Sequence, residues 1–195
     1  MAKKQPKKIA PARPQLGDGV EILDAGVVLQ TPITETLEKN YMPYAMSVIV
    51  SRALPEIDGF KPAHRKLLYT MYGMGLLKGG RTKSANIVGS TMHLNPHGDA
   101  AIYETMVRMG RSNESLLVPF VDSKGNFGKA YSRDMSYAAS RYTEAKLDPV
   151  CEELFRDIDK DTVDFVDNYD GTMKEPSLLP TAFPNVLVSA NTGIA

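Results

Sequence analysis

The chain of 195 residues is 43% apolar, 24% charged and 8% aromatic, a globular composition that excludes collagen-like, low-complexity and wholly disordered classes. Its 23 Lys and Arg balance 23 Asp and Glu, and one cysteine with three histidines excludes an internal disulfide and offers no Cys/His cluster for zinc. The longest apolar stretch, YAMSVIV, is too short to span a bilayer, and no signal-type run follows the basic start, so the expected compartment is a reducing cytoplasm.

Charge is unevenly distributed. Residues 57–146 hold 13 Lys and Arg against 7 Asp and Glu, residues 147–175 hold 3 against 10, and the first 14 residues hold five bases and no acid. The basic middle is the expected polyanion face, with a solvated charged surface as the alternative.

Taken in chain order, residues 1–30 read as a flexible basic arm rich in Lys, Pro and Gly. Residues 31–60 read as a helical arm, with a helix from Thr34 to Leu54 that Pro43 kinks or divides and Pro55 ends. A second helix runs from Pro62, a favoured first-turn residue, to Met74, with Gly75 beyond it. SANIVGSTMHL (84–94) and DAAIYETMVRMG (99–110) read as amphipathic helices, the latter with Asp99 as N-cap and a stripe of Ile102, Met106 and Met109. Only NPHG separates them, the pattern of a helix-turn-helix and equally of an ordinary helical hairpin. LLVPFV, KGNFGKAY, TVDFVDNY and NVLVSA then read as short strands and turns. The expected fold is α+β and mainly helical, a helical arm followed by a winged-helix domain over 61–160 with small β-strands. The apolar strand expected at the end, closing on NTGIA, has no partner, so the chain reads as a piece of a longer polypeptide.

SYAASRYTEAKLD (136–148), placed in the helical part, sets an Arg-Tyr pair among small residues. A phenol with an ordinary pKa of about 10 is a poor nucleophile at neutral pH without help. Arg141 supplies a permanently charged planar fork that fits phosphate and stabilises both a phenolate and a phosphorane-like transition state. Tyr142 attacking a phosphodiester would store the energy of the broken bond as a phosphotyrosine ester. Helical periodicity leaves its facing open: Leu147, Cys151 and Leu154 put it opposite their stripe, whereas Met135, Ala138 and Ala139 put it on their own face. Small neighbours would admit a large rigid polymer. DIDKDTVDFVDN opens like a calcium loop but has Thr162 at the glycine position and Asn168 at the Glu position, and is rejected; no Walker or dinucleotide motif is present.

YAMSVIVSRALPEIDGFKPAHRKLLYTM, KSANIVG, PHGDAAIYETMVRM, GNFG, AASRYTEAKL, TVDFVDNYDGT and GIA together resemble, in order and spacing, the breakage-reunion (A) subunit of bacterial type IIA topoisomerases, over roughly residues 34–195. The resemblance implies that Tyr142 forms a 5′-phosphotyrosyl link assisted by Arg141. It places Arg52, Lys61, His64, Arg65 and His97 at DNA-contacting positions and makes Ile194 the wedge that bends DNA. It implies ATP-dependent passage through a transient double-strand break, with Mg²⁺ and ATP both held by a partner B subunit in an A2B2 assembly acting in the bacterial cytoplasm on the nucleoid. Residues 161–195 would begin a tower region.

The sequence departs from the family pattern at several points. Asn95 replaces a histidine, Ile57 stands where an arginine is usual before Asp58, and Ser140 precedes the Arg-Tyr pair where methionine is usual. Ala100 replaces a serine at a fluoroquinolone position whose acidic companion is Glu104, which implies weak drug response. Gyrase and topoisomerase IV are not distinguished. Two other readings stand beside this one, a plain winged-helix DNA-binding protein and an inert interaction fragment.

Overall fold

The computed structural model describes residues 20–23, 26–111, 118–129 and 136–188. The chain divides into two compact units, Met1–Met46 and Ser47–Ala195. In the first, β1 (Val20–Leu23) pairs antiparallel with β2 (Gly26–Leu29), Val20 opposite Leu29 and Leu23 opposite Gly26. This ribbon falls within the stretch read as a flexible arm. Helix α1 (Ile33–Val48) starts in the same unit and passes through Pro43 without ending. Ile33, Leu37, Tyr41 and Tyr44 follow helical spacing along it, yet all are exposed.

The second unit is a helical layer joined to a small sheet, an α+β arrangement. A π-helical turn (Ile49–Ala53), closed by Leu54 N donating to Ile49 O at 3.2 Å, leads through a turn at residues 56–60 into α2 (Pro62–Gly73). Pro62 occupies the first turn of α2, where its missing N–H has no intrahelical partner to lose. Strand β3 (Thr82–Lys83) runs into α3 (Ser84–Thr91), and α4 (Asp99–Met109) follows. β4 (Val121–Lys124) and β3 both pair antiparallel with the central β5 (Glu144–Leu147). Beyond it come α5 (Cys151–Phe155), the β6 (Phe165–Asp167) and β7 (Lys174–Pro176) hairpin, and α6 (Asn185–Val188).

The expected α4 stripe is the helix's inner face: Ile102, Met106 and Met109 are all buried. They meet Leu67, Leu68 and Met71 of α2, Ile87 and Val88 of α3, and Ala145 and Leu147 of β5 in one core. At roughly 1.5–3 kcal/mol for each large side chain withdrawn from water, this core outweighs local propensity in deciding the fold. Cys151 belongs to it, fully buried with Sγ donating to Phe120 O. Burial, with Asp148 adding to it, pushes its thiol up to about 12, so it is an inert core thiol.

Four sequence expectations need correction. Helix α3 stops at Thr91, so the connection to α4 runs over residues 92–98 and buries Leu94. Gly98 rather than Asp99 caps α4; its φ of 97° is one that only glycine adopts without strain, while Asp99 Oδ1 accepts from Ala100 N at 2.9 Å inside the first turn. Arg141 and Tyr142 lie on a turn that enters β5, not on a helix. Finally, Asn185–Val188, read as strand, is a short helix following Pro184. Among the described residues no helix is long and apolar enough to cross a membrane.

Candidate functional site

Two clusters emerge. The first is a cavity of about 580 Å³ whose lining includes Arg52, Lys61, His64, Lys66, Asn95 and His97. Arg52 comes from the last turn of the π-helical segment, and Lys61 is the extended residue capping α2. His64 and Lys66 lie in the first turns of α2, while Asn95 and His97 come from the α3–α4 connection and Ala101 and Thr105 of α4 complete the wall. Four residues expected at DNA-contacting positions thus converge from three separate segments. The concentration of cations around a concavity is the electrostatic form that attracts a polyanion.

Arg65, expected among them, is elsewhere. Its guanidinium is buried, with Nε donating to Asp58 Oδ2 at 2.7 Å and Nη2 to Asp58 Oδ1 at 3.0 Å. Beside His64, the cation that α2 turns toward the cavity is therefore Lys66, which sequence reasoning passed over. Lys66 Nζ donates to Leu94 O at 2.8 Å and pairs with Glu175 Oε1 at 3.1 Å. Asn168 Nδ2 also donates to the connection, at His93 O, 2.9 Å away. Through these bonds α2 and the β6–β7 turn fix the segment that carries Asn95 and His97. Asn95 is buried and its N–H bonds Thr91 O.

His64 is pushed down to about 4, first by burial and then by the charges of Lys61, Arg108 and Arg65, with Asp58 opposing them. It is therefore neutral at pH 7, able to donate at one nitrogen and accept at the other. Because the unfolded chain takes up this proton near pH 6.5 and the folded one only near 4, its contribution to stability is present at neutral pH and lost as pH falls through that window. Melting temperatures measured from pH 7 down to pH 4.5 should therefore fall less steeply in His64→Gln than in the native chain; parallel slopes would show that His64 titrates normally.

The second cluster is the tyrosine turn. Tyr142 is 67% exposed, and Arg141 Cζ stands 4.8 Å from its ring centroid. Such a cation–π contact contributes ~0.5–1 kcal/mol at an exposed site, less than charge-assisted bonding to a phosphate, so the guanidinium can exchange one for the other. The turn closes through Tyr142 N donating to Ala139 O at 2.9 Å. Thr143, the next residue, is fully buried. The chain thus passes from solvent to core in one residue. Neither Arg141 nor Tyr142 lines the basic cavity.

Ala100 and Glu104 are exposed on α4, and Glu104 Oε1 accepts from Arg108 Nη2 at 2.9 Å. Ile57 is 80% exposed. Ile194 lies outside the described residues. Among the described residues no group of three or more His, Cys, Asp or Glu is placed to hold a metal ion.

Comparison with known proteins defines the class. The family of DNA gyrase/topoisomerase IV A subunits matches residues 52–195. The DNA gyrase A subunit of Mycolicibacterium smegmatis is 50% identical over 165 residues, covering 84% of this chain and 19% of that protein. The protein of the same name from Helicobacter pylori is 47% identical over 171 residues, 86% of this chain and 20% of its own length. That of Staphylococcus epidermidis is 52% identical over 167 residues, 84% and 18%. The chain belongs to the family of DNA gyrase/topoisomerase IV A subunits, and spans about a fifth of the length of these relatives.

Proposed function

We propose that this chain forms the DNA cleavage and religation part of a type IIA topoisomerase A subunit. The observation that carries the reading is the exposed Arg141-Tyr142 pair on a turn anchored by buried Thr143, in a chain of this family. Helices α3 and α4 act as the helix-turn-helix of a winged helix, with the β4–β5 hairpin as its wing. The basic cavity supplies phosphate contacts through Arg52, Lys61, His64 and His97, and Arg65 supports them from behind as a structural ion pair.

In the cleavage step Tyr142 Oη attacks a backbone phosphorus and loses its proton. The bond from phosphorus to the 3′-oxygen breaks, and that oxygen leaves as a 3′-hydroxyl after taking up a proton. A 5′-phosphotyrosyl ester remains, and attack by the 3′-hydroxyl reverses the step without consuming nucleotide. Arg141 stabilises the charge that accumulates on the non-bridging oxygens. Mg²⁺ and ATP belong to the partner B subunit in an A2B2 assembly in the bacterial cytoplasm, and no step here is assigned to a metal on this chain.

The reading is tested by trapping. The complete A subunit, assembled with its B subunit, Mg²⁺ and DNA and then denatured, should yield one DNA-linked peptide, with the link on Tyr142. A link at another residue, or none, overturns the reading. Noncovalent binding should also be electrostatic, with affinity for duplex DNA falling steeply between low and moderate salt as phosphate counterions are released. An affinity flat over that range would remove the basic cavity from the interface.

A further inference from the structure

The turn that presents Tyr142 is held from both sides by hydroxyl groups to which the cleavage chemistry gives no part. Thr143 Oγ1 is hydrogen-bonded to Ser84 Oγ at 2.8 Å and to Tyr103 Oη at 2.9 Å. Tyr103 Oη donates to Ala138 O at 2.7 Å. Ser84 and Thr143 are fully buried and Tyr103 nearly so. Backbone bonds run in parallel, from Ser84 N to Thr143 O at 3.0 Å and from Ala85 N to Ser140 O at 3.2 Å.

These bonds have a specific structural meaning. The first N–H groups of a helix have no intrahelical partner, and α3 lacks a side-chain cap. Its Ser84 and Ala85 N–H groups are satisfied instead by the carbonyls of Thr143 and Ser140, which flank the Arg-Tyr pair. From the other side, Tyr103 on α4 holds Ala138, at the entry to the turn, and Thr143, directly after Tyr142. Hydroxyl groups buried this deeply are costly unless each is bonded, so a network in which all three are bonded fixes one geometry rather than adding stability.

We propose that Tyr103, Thr143 and Ser84 are positioning residues for phosphoryl transfer: their hydroxyl network ties the Tyr142 turn to the α3–α4 pair, so that DNA seated on those helices meets the Tyr142 oxygen in reactive register. The inference rests on the assignment of Tyr142 as nucleophile. It makes the network a determinant of the cleavage rate and not of DNA affinity, because none of the three residues lines the basic cavity and the cation contacts stay intact.

The test uses the complete A subunit with its B subunit, Mg²⁺ and DNA, in single-turnover cleavage beside noncovalent affinity and melting temperature. Thr143→Val keeps the shape and removes the hydroxyl, Thr143→Ser keeps the hydroxyl, and Tyr103→Phe keeps the ring contacts with Phe127 and Tyr137. Thr143→Val and Tyr103→Phe should each slow cleavage ~10–100-fold, the scale of a small misplacement of a reacting group. DNA affinity should be unchanged, and Thr143→Ser should restore most of the rate. Native rates in both Val and Phe variants would overturn the proposal, as would a Ser variant no faster than Val. Should Thr143→Val fail to fold, Tyr103→Phe and Thr143→Ser decide alone: a native rate in the first, or a slow rate in the second, overturns it. Tyr142→Phe run alongside separates the two claims. A covalent adduct persisting in that variant sinks the nucleophile assignment, whereas an adduct lost there but formed at native rate in Tyr103→Phe and Thr143→Val sinks only the positioning role.

Discussion

Replacing Tyr142 by Phe should abolish the covalent protein–DNA adduct and leave noncovalent DNA binding at its native level. The ring stands 67% exposed beside Arg141, so removing one oxygen opens no cavity and strands no buried partner. Stability should change by less than ~0.5 kcal/mol, as at ordinary surface sites. Cleavage should fall by on the order of 10⁴–10⁶-fold, the scale on which deleting a nucleophile acts. Arg141→Lys should also impair cleavage, since an ammonium carries the charge but not the planar two-point geometry that spans two phosphate oxygens. Denaturation-resistant DNA complexes formed by Tyr142→Phe at native yield would show that another residue carries the bond.

The outline of the helical layer is legible in the sequence because it follows from periodicity and punctuation. Pro62 and Gly73 bracket α2, and the 102, 106, 109 spacing on α4 marks the face that the core needs. The tyrosine turn misleads for a physical reason. Ala, Arg, Glu and Lys favour helix locally, and Leu147, Cys151 and Leu154 mimic a helical stripe across two different elements. In fact Glu144–Leu147 buries Ala145 and Leu147 alternately, the period of a strand, because β5 finds partners in both β3 and β4. A strand of four residues that are themselves good helix formers carries no local strand signal; distant pairing decides it.

The site is legible in composition more than in arrangement. The grouping of Arg52, Lys61, His64 and His97 comes from resemblance to a family pattern; that the four line one cavity is visible only in three dimensions. Lys66 and Arg65 cannot be told apart from sequence, being adjacent residues of one charge. Their roles separate only when Asp58 and Glu175 are placed in space, seven residues upstream and on β7 respectively. The acidic stretch ending at Asn168 carries no chemistry as a calcium loop; the bond from Asn168 to His93 O gives it a role, as a brace for the α3–α4 connection.

That same three-dimensional placement makes Asp58 the residue whose loss should cost the fold most. Its carboxylate, almost wholly buried, accepts from Arg65 Nε and Nη2, from Phe60 N at 3.0 Å and from Leu179 N at 3.0 Å, while its backbone carbonyl accepts from Asn185 Nδ2 at 2.9 Å. One residue therefore joins the start of α2 to segments more than a hundred residues later. Next to it, Gly59 adopts a φ of 78°, and a Cβ there would lie 2.5 Å from Asn185 Nδ2, so the chains meet with no spare room. Removing one partner of a buried ion pair leaves the other charge uncompensated, at about 3–5 kcal/mol. Asp58→Ala should reach or exceed that range because it also strands two backbone N–H groups, each ~1–3 kcal/mol. Arg65→Met should cost less, since the carboxylate keeps both N–H donors and the methionine refills the volume. For a chain of this size the difference appears as a fall of about 6–20 °C in melting temperature for Asp58→Ala, with Arg65→Met closer to native. A fall of a degree or two in Asp58→Ala, or a larger loss in Arg65→Met than in Asp58→Ala, would mean that the carboxylate is not the hub joining these segments.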